Sequence, residues 1–98
     1  MQHNLETNYN GAILRLVFST NDKTAKREAR LLINNIDRDQ ATSKENTILK
    51  LNSTVQTEYE FHEFIEATVE YDDGKTIASL YASKVMLKQI VIERRVEE

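Results

Sequence analysis

An alternation running from Glu58 to Tyr71 limits what this chain can fold into more than any other feature. Its odd positions, Tyr59, Phe61, Glu63, Ile65, Ala67, Val69 and Tyr71, are apolar at six of seven. Its even positions, Glu58, Glu60, His62, Phe64, Glu66, Thr68 and Glu70, are apolar only at Phe64. Successive side chains of a strand point to opposite faces, so this pattern specifies a half-buried strand with an acidic, wet face. A sheet has to be assembled around it, and something has to cover its apolar side.

Two further strands suggest themselves. Ala12-Ile13-Leu14-Arg15-Leu16-Val17-Phe18 is apolar throughout except for Arg15, and Thr47-Ile48-Leu49-Lys50-Leu51 is a shorter run of the same kind. Residues 1–10 carry no periodic pattern and read as a loose arm ahead of a single domain from 11 to 98. Ninety-eight residues provide one modest core.

Helices are expected in two places. Ser19-Thr20-Asn21-Asp22 is a cluster of N-cap residues, and Ala25, Ala29, Leu32 and Ile36 follow at helical spacing. This predicts a helix from about Asp22 to Ile36, ended by Asn34-Asn35 and followed by a polar loop from Asp37 to Asn46. Its opposite face would carry Lys23, Lys26, Arg27 and Arg30 as a basic stripe able to contact RNA or other phosphates.

The second helix rests on Asp72-Asp73-Gly74-Lys75. A hairpin there requires the next segment to alternate. From Thr76 to Ile92 the odd positions are apolar at five of eight and the even at six of nine, so alternation is absent. The spacing predicts a helix over 75–94, with the β-branched Ile90-Val91-Ile92 as its weak point. Its face, with Ile77, Leu80, Tyr81, Lys84, Val85 and Lys88, is the candidate self-association surface. The expected fold is therefore α+β: a two-layer sandwich in β-α-β-β-α order, with a three-stranded sheet and two helices on one face. The alternative is a hairpin at the Asp-Asp-Gly-Lys segment, with residues 75–83 as a fourth strand.

Chemistry-bearing constellations are sparse. The chain has no Cys, which excludes disulfides, thiolate metal sites and cysteine nucleophiles. Its only glycines, Gly11 and Gly74, cannot make a Gly-rich phosphate loop. His62 shares its strand face with Glu58, Glu60 and Glu66, but at no recognised ligand spacing, and it reads as a solvated histidine among carboxylates. No catalytic, cofactor or metal site is assigned, and the chain is read as a non-enzyme without cofactors. No apolar run is long enough for a membrane helix, and the N-terminus lacks a signal-peptide pattern, so a cytoplasmic protein is expected. The net charge of -3 is segregated: four bases and one acid from Lys23 to Arg30, seven acids and no Lys or Arg from Glu58 to Asp73.

The segments A-I-L-R-L-V-F-S-T-N-D-K-T-A-K-R-E-A-R-L-L and D-D-G-K-T-I-A-S-L-Y-A-S-K-V-M-L-K-Q-I-V resemble the first strand and the two helices of the small dimerising subunit of the KEOPS complex. The resemblance implies the β-α-β-β-α order and a homodimeric, non-enzymatic accessory role in a complex that modifies tRNA. Protein partners are the main expectation, with tRNA or another RNA touched indirectly. The alternatives are a stand-alone RNA-binding domain using the basic stripe, and a small acidic inhibitor from a mobile element that presents Glu58 to Asp73 to a basic groove.

Overall fold

A computed structural model describes residues 2–21, 26–44, 48–56, 62–72 and 74–93. They form eight antiparallel strands: β1 (Gln2–Tyr9), β2 (Ala12–Asn21), β3 (Lys26–Ile33), β4 (Ile36–Ser43), β5 (Ile48–Gln56), β6 (His62–Tyr71), β7 (Lys75–Ala82) and β8 (Val85–Glu93). They pair in sequence order as two four-stranded meanders, β1-β2-β3-β4 and β5-β6-β7-β8. The described residues contain no helix, so the expected α+β sandwich is replaced by an all-β one.

The inner faces of both sheets supply the core. Leu14, Leu16 and Phe18 of β2 and Ala29, Leu31 and Ile33 of β3 meet Leu49 and Leu51 of β5, Ile65, Ala67 and Val69 of β6, and Ala78 and Leu80 of β7. All are buried at alternate positions, the period that a strand imposes. The alternation from residue 62 to Tyr71 is β6, as expected, with Ile65, Ala67, Val69 and Tyr71 facing inward. Its residues 58–61 lie outside the described residues.

Over the described residues both expected helices are strands, for identifiable reasons; residues 22–25 of the first lie outside the described residues. Along β3 the inward set is Arg27, Ala29, Leu31 and Ile33, and the outward set is Lys26, Glu28, Arg30 and Leu32. A charge on the inner face and a leucine on the outer one hide the two-residue period. Asn34 and Asn35 do not terminate a helix. They have φ of 52° and 66°, the signs that a two-residue type I′ hairpin turn demands and that Asn tolerates. The polar stretch after them is not a loop but the edge strand β4. The segment expected as a helix over 75–94 is likewise not one across its described residues, 75–93. Residues 75–82 form β7 after the Asp72–Lys75 turn, closed by the Asp72 amide donating to the Lys75 carbonyl at 3.0 Å, as the hairpin alternative had it. Ser83 and Lys84, at φ 48° and 68°, turn the chain into β8. Residues 2–9 are not a loose arm either; they pair along their whole length with β2.

The two halves repeat one design. β3-Asn34-Asn35-β4 and β7-Ser83-Lys84-β8 are type I′ hairpins, and in each the second strand bulges at its third residue. Arg38 is the extra residue between the Leu31–Asp39 and Leu32–Asp37 rungs, and Leu87 is the extra residue between Leu80–Lys88 and Tyr81–Met86. Within these two hairpins corresponding positions are separated by one and the same interval, Asn34 to Ser83 and Arg38 to Leu87.

The sheets also touch at their edges, β4 against β5 and β1 against β8. Among the described residues side chains rather than a backbone ladder bridge these seams. Asp39 Oδ2 accepts from the Asn52 amide at 2.9 Å, and Arg38 donates to Ser53 Oγ at 3.0 Å and to the Thr54 carbonyl at 3.2 Å. At the other seam Lys88 Nζ donates to the Glu6 carbonyl at 3.0 Å. In both hairpins the residue following the bulge crosses the seam. Two tyrosines tie the layers at opposite ends: Tyr71 to the carbonyls of Ser19 and Glu28, and Tyr9 to the Glu63 carboxylate.

Candidate interaction surface

The outer faces of the two sheets differ in kind. On the first, cations lie beside acids. Arg15 meets Glu6 at 2.7 Å, Lys26 meets Glu28 at 3.0 Å and Arg30 meets Asp37 at 3.7 Å. These exposed pairs add little stability, but they leave the face close to neutral. The expected basic stripe is not assembled. Lys26 and Arg30 face outward; Arg27 points inward, with its guanidinium carbon 5.7 Å from the centre of the Tyr71 ring; Lys23 lies outside the described residues.

The second sheet presents a different outer face. Phe64 of β6 is 67% exposed, and beside it Tyr81 pairs with Met86. Nearer the other end Ile77 pairs with Val91. A shallow groove of about 310 Å³ runs over this face, bordered by Lys50, Asn52, Glu66, Thr68, Tyr81 and Lys84. Ser79 of β7 is buried, accepting from Gln89 Nε2 at 2.9 Å.

The expected self-association residues are divided among several positions rather than gathered on one helical face. Leu80 is fully buried in the core, Ile77 and Tyr81 face outward from β7, Lys84 is in the turn, Val85 is 64% exposed, and Lys88 bridges to β1. What sequence reasoning missed is β8. Val85, Met86, Ile90 and Val91 are exposed along it, and Leu87 and Ile92 are partly buried against the core. The signal was visible as the loss of alternation after Thr76. A strand pair with apolar residues on both faces looks aperiodic, and helical spacing then fits it by default.

The outermost strands make the point by comparison. β4 reads Ile-Asp-Arg-Asp-Gln-Ala-Thr-Ser and carries charges at three consecutive positions, a common protection of an edge. Its counterpart β8 reads Val-Met-Leu-Lys-Gln-Ile-Val-Ile-Glu, with the same turn and the same bulge but one charge before its last residue. Among the described residues β8 pairs in a ladder only with β7.

Other chemistry is thin. Among the described residues no three His, Asp or Glu side chains converge as a metal site; His62 is exposed, and Glu58 and Glu60 lie outside the described residues. The hydrogen bond to Glu63 raises the Tyr9 phenol above its ordinary pKa, with desolvation and the carboxylate charge adding to the effect. Among the described residues no helix is long and apolar enough to cross a membrane.

No family model, no curated protein and no solved structure matches this chain. The segments that resemble the KEOPS subunit are β2–β3 and β7–β8, so the strand-and-helix order which that resemblance implied is not the order of this molecule.

Proposed function

We propose that this protein is a non-catalytic, cytoplasmic protein-interaction module that docks through β8 and the adjoining outer face of the second sheet. The observation that carries this reading is the contrast between β4 and β8. Two strands in equivalent places, with the same turn and bulge, differ in that one has a charged edge and the other an apolar one. An unguarded apolar edge invites aggregation unless a partner covers it. An extended segment added there would form main-chain hydrogen bonds, with side-chain selection at alternate positions. A polyanion is a poorer occupant, because Lys50 and Lys84 on this face are balanced by Glu66 and Glu70. The resemblance that implied an accessory part in tRNA modification came with a helical layout, which the described residues do not have.

The test places a photoreactive side chain at Met86 on β8 or at its β4 counterpart, Asp37, in the producing cell. Protein adducts concentrated at Met86 and abolished by Val91→Lys support the reading. Equal labelling at both positions, or none at either, overturns it.

A further inference from the structure

We infer that the two sheets are exchangeable halves of a two-fold unit, so that the first sheet of one copy packs on the second sheet of another. This stands apart from the reading of β8, because it concerns the faces that the two sheets already turn to each other.

The halves correspond residue by residue, beyond their shared turn and bulge. The Asn34 amide donates to the Ile13 carbonyl at 2.9 Å, and the Ser83 amide donates to the Phe64 carbonyl at 2.8 Å. Each bond runs from a β-hairpin turn back to the strand before it. Across the first sheet one row of paired residues reads Leu5, Leu16, Leu31 and Asp39. Across the second the corresponding row reads Leu51, Ala67, Leu80 and Lys88. The first three residues of each row are buried in the core.

The ends of these rows define how the halves meet. Asp39, the end of the first row, accepts from the amide of Asn52, the residue after Leu51 at the start of the second. Lys88, the end of the second row, donates to the carbonyl of Glu6, the residue after Leu5 at the start of the first. Each row therefore ends where the other begins. Equivalent residues contacting each other reciprocally are the mark of a two-fold interface between subunits, here made within one chain.

Such an interface accepts a second copy at little cost. Among the described residues every backbone ladder lies within one sheet, so exchange breaks no strand pairing. The chain passes from one sheet to the other once, through residues 44–47. A half supplied by another copy presents the same core face and the same seam residues as the chain's own half. Exchange of identical elements is an inexpensive route to a dimer for that reason. The short connection holds the chain's own halves at an effective concentration on the order of millimolar, which favours the closed single chain. Exchange is therefore to be read where the closed pairing is disabled.

The experiment uses two full-length variants. One carries Leu14→Asp with Leu31→Asp in the first sheet, and the other carries Ile65→Asp with Leu80→Asp at the corresponding positions of the second. All four leucine and isoleucine side chains are fully buried, so the carboxylates disable one half of each chain. The variants are unfolded, mixed in equal amounts and refolded together. Neither variant alone should show a cooperative thermal melt. The mixture should show one, with a dimer in sedimentation equilibrium and about half the wild-type unfolding amplitude, since one of the two half-pairs in each dimer is intact. A mixture without a cooperative melt, or one that melts without forming a dimer, overturns the exchange. A variant that melts cooperatively on its own overturns the dependence of each sheet on the other, and the inference with it.

Discussion

The phenol of Tyr71 on β6 lies 3.1 Å from the backbone carbonyl of Ser19 on β2, and this bond joins the second sheet to the first. The Glu28 carbonyl, on the rung opposite Ser19, is also 3.1 Å away, so the single hydroxyl proton is shared between two acceptors. Tyr71→Phe should keep the packed ring but leave those carbonyls without their donor. We expect a loss of about 0.5–1.5 kcal/mol in urea unfolding, the net value of a typical hydrogen bond. Tyr71→Ala should cost about 3–5 kcal/mol, because it also empties a buried aromatic site. Equal losses for the two changes would show that the hydroxyl, not the ring, holds this end of the sandwich.

Leu80 and Val85 separate core from surface within one hairpin. Leu80 is fully buried while Val85 is 64% exposed at the turn. Leu80→Ala should destabilise the fold by about 2–5 kcal/mol. Val85→Ser should stay within about 0.5 kcal/mol of the wild type. Thermal melts of the two variants are the measurement, and similar melting points would contradict this placement.

Lys84 occupies a conformation that side chains resist, at φ 68°. An L-residue in the left-handed region costs roughly 1–2 kcal/mol, which glycine avoids while losing more chain entropy on folding. Lys84→Gly should therefore raise the melting temperature. The same change at Lys88, within β8, should lower it.

At the other end of the molecule the Tyr9–Glu63 bond makes stability depend on alkaline pH. The phenol is held neutral in the folded state, so its pKa is above that of the unfolded chain. Protons are then bound more tightly by the folded form. The contribution is fully present below the unfolded value of about 10 and is lost as pH rises through the higher folded value. Denaturation curves at neutral pH and above pH 10 should show this loss in the wild type and not in Tyr9→Phe. A Tyr9→Phe variant with the same alkaline decline would assign the effect elsewhere.

The sequence by itself determined β6, the core of β2 and the start of β5. In each, apolar residues were either alternating or continuous over a strand's length, and local pattern sufficed. The outward side of β6 was legible too, because water selects Glu and Thr there wherever no partner intervenes. Tertiary structure decided the rest. Arg27 faces inward and packs on Tyr71, a residue of the other sheet, so no local pattern could reveal β3. β4 is a strand although almost wholly polar, since its partner β3 supplies the ladder and its seam is bridged by Arg38 and Asp39 to β5. β8 is a strand although apolar on both faces, and there the local pattern fits a helix as well. What separates the two is a backbone partner, β7, reached through a turn whose Ser and Lys give no sign of positive φ. Helical hydrogen bonds are satisfied within one segment and can be read from it. Sheet hydrogen bonds are satisfied between segments, and they are settled only when the strands meet.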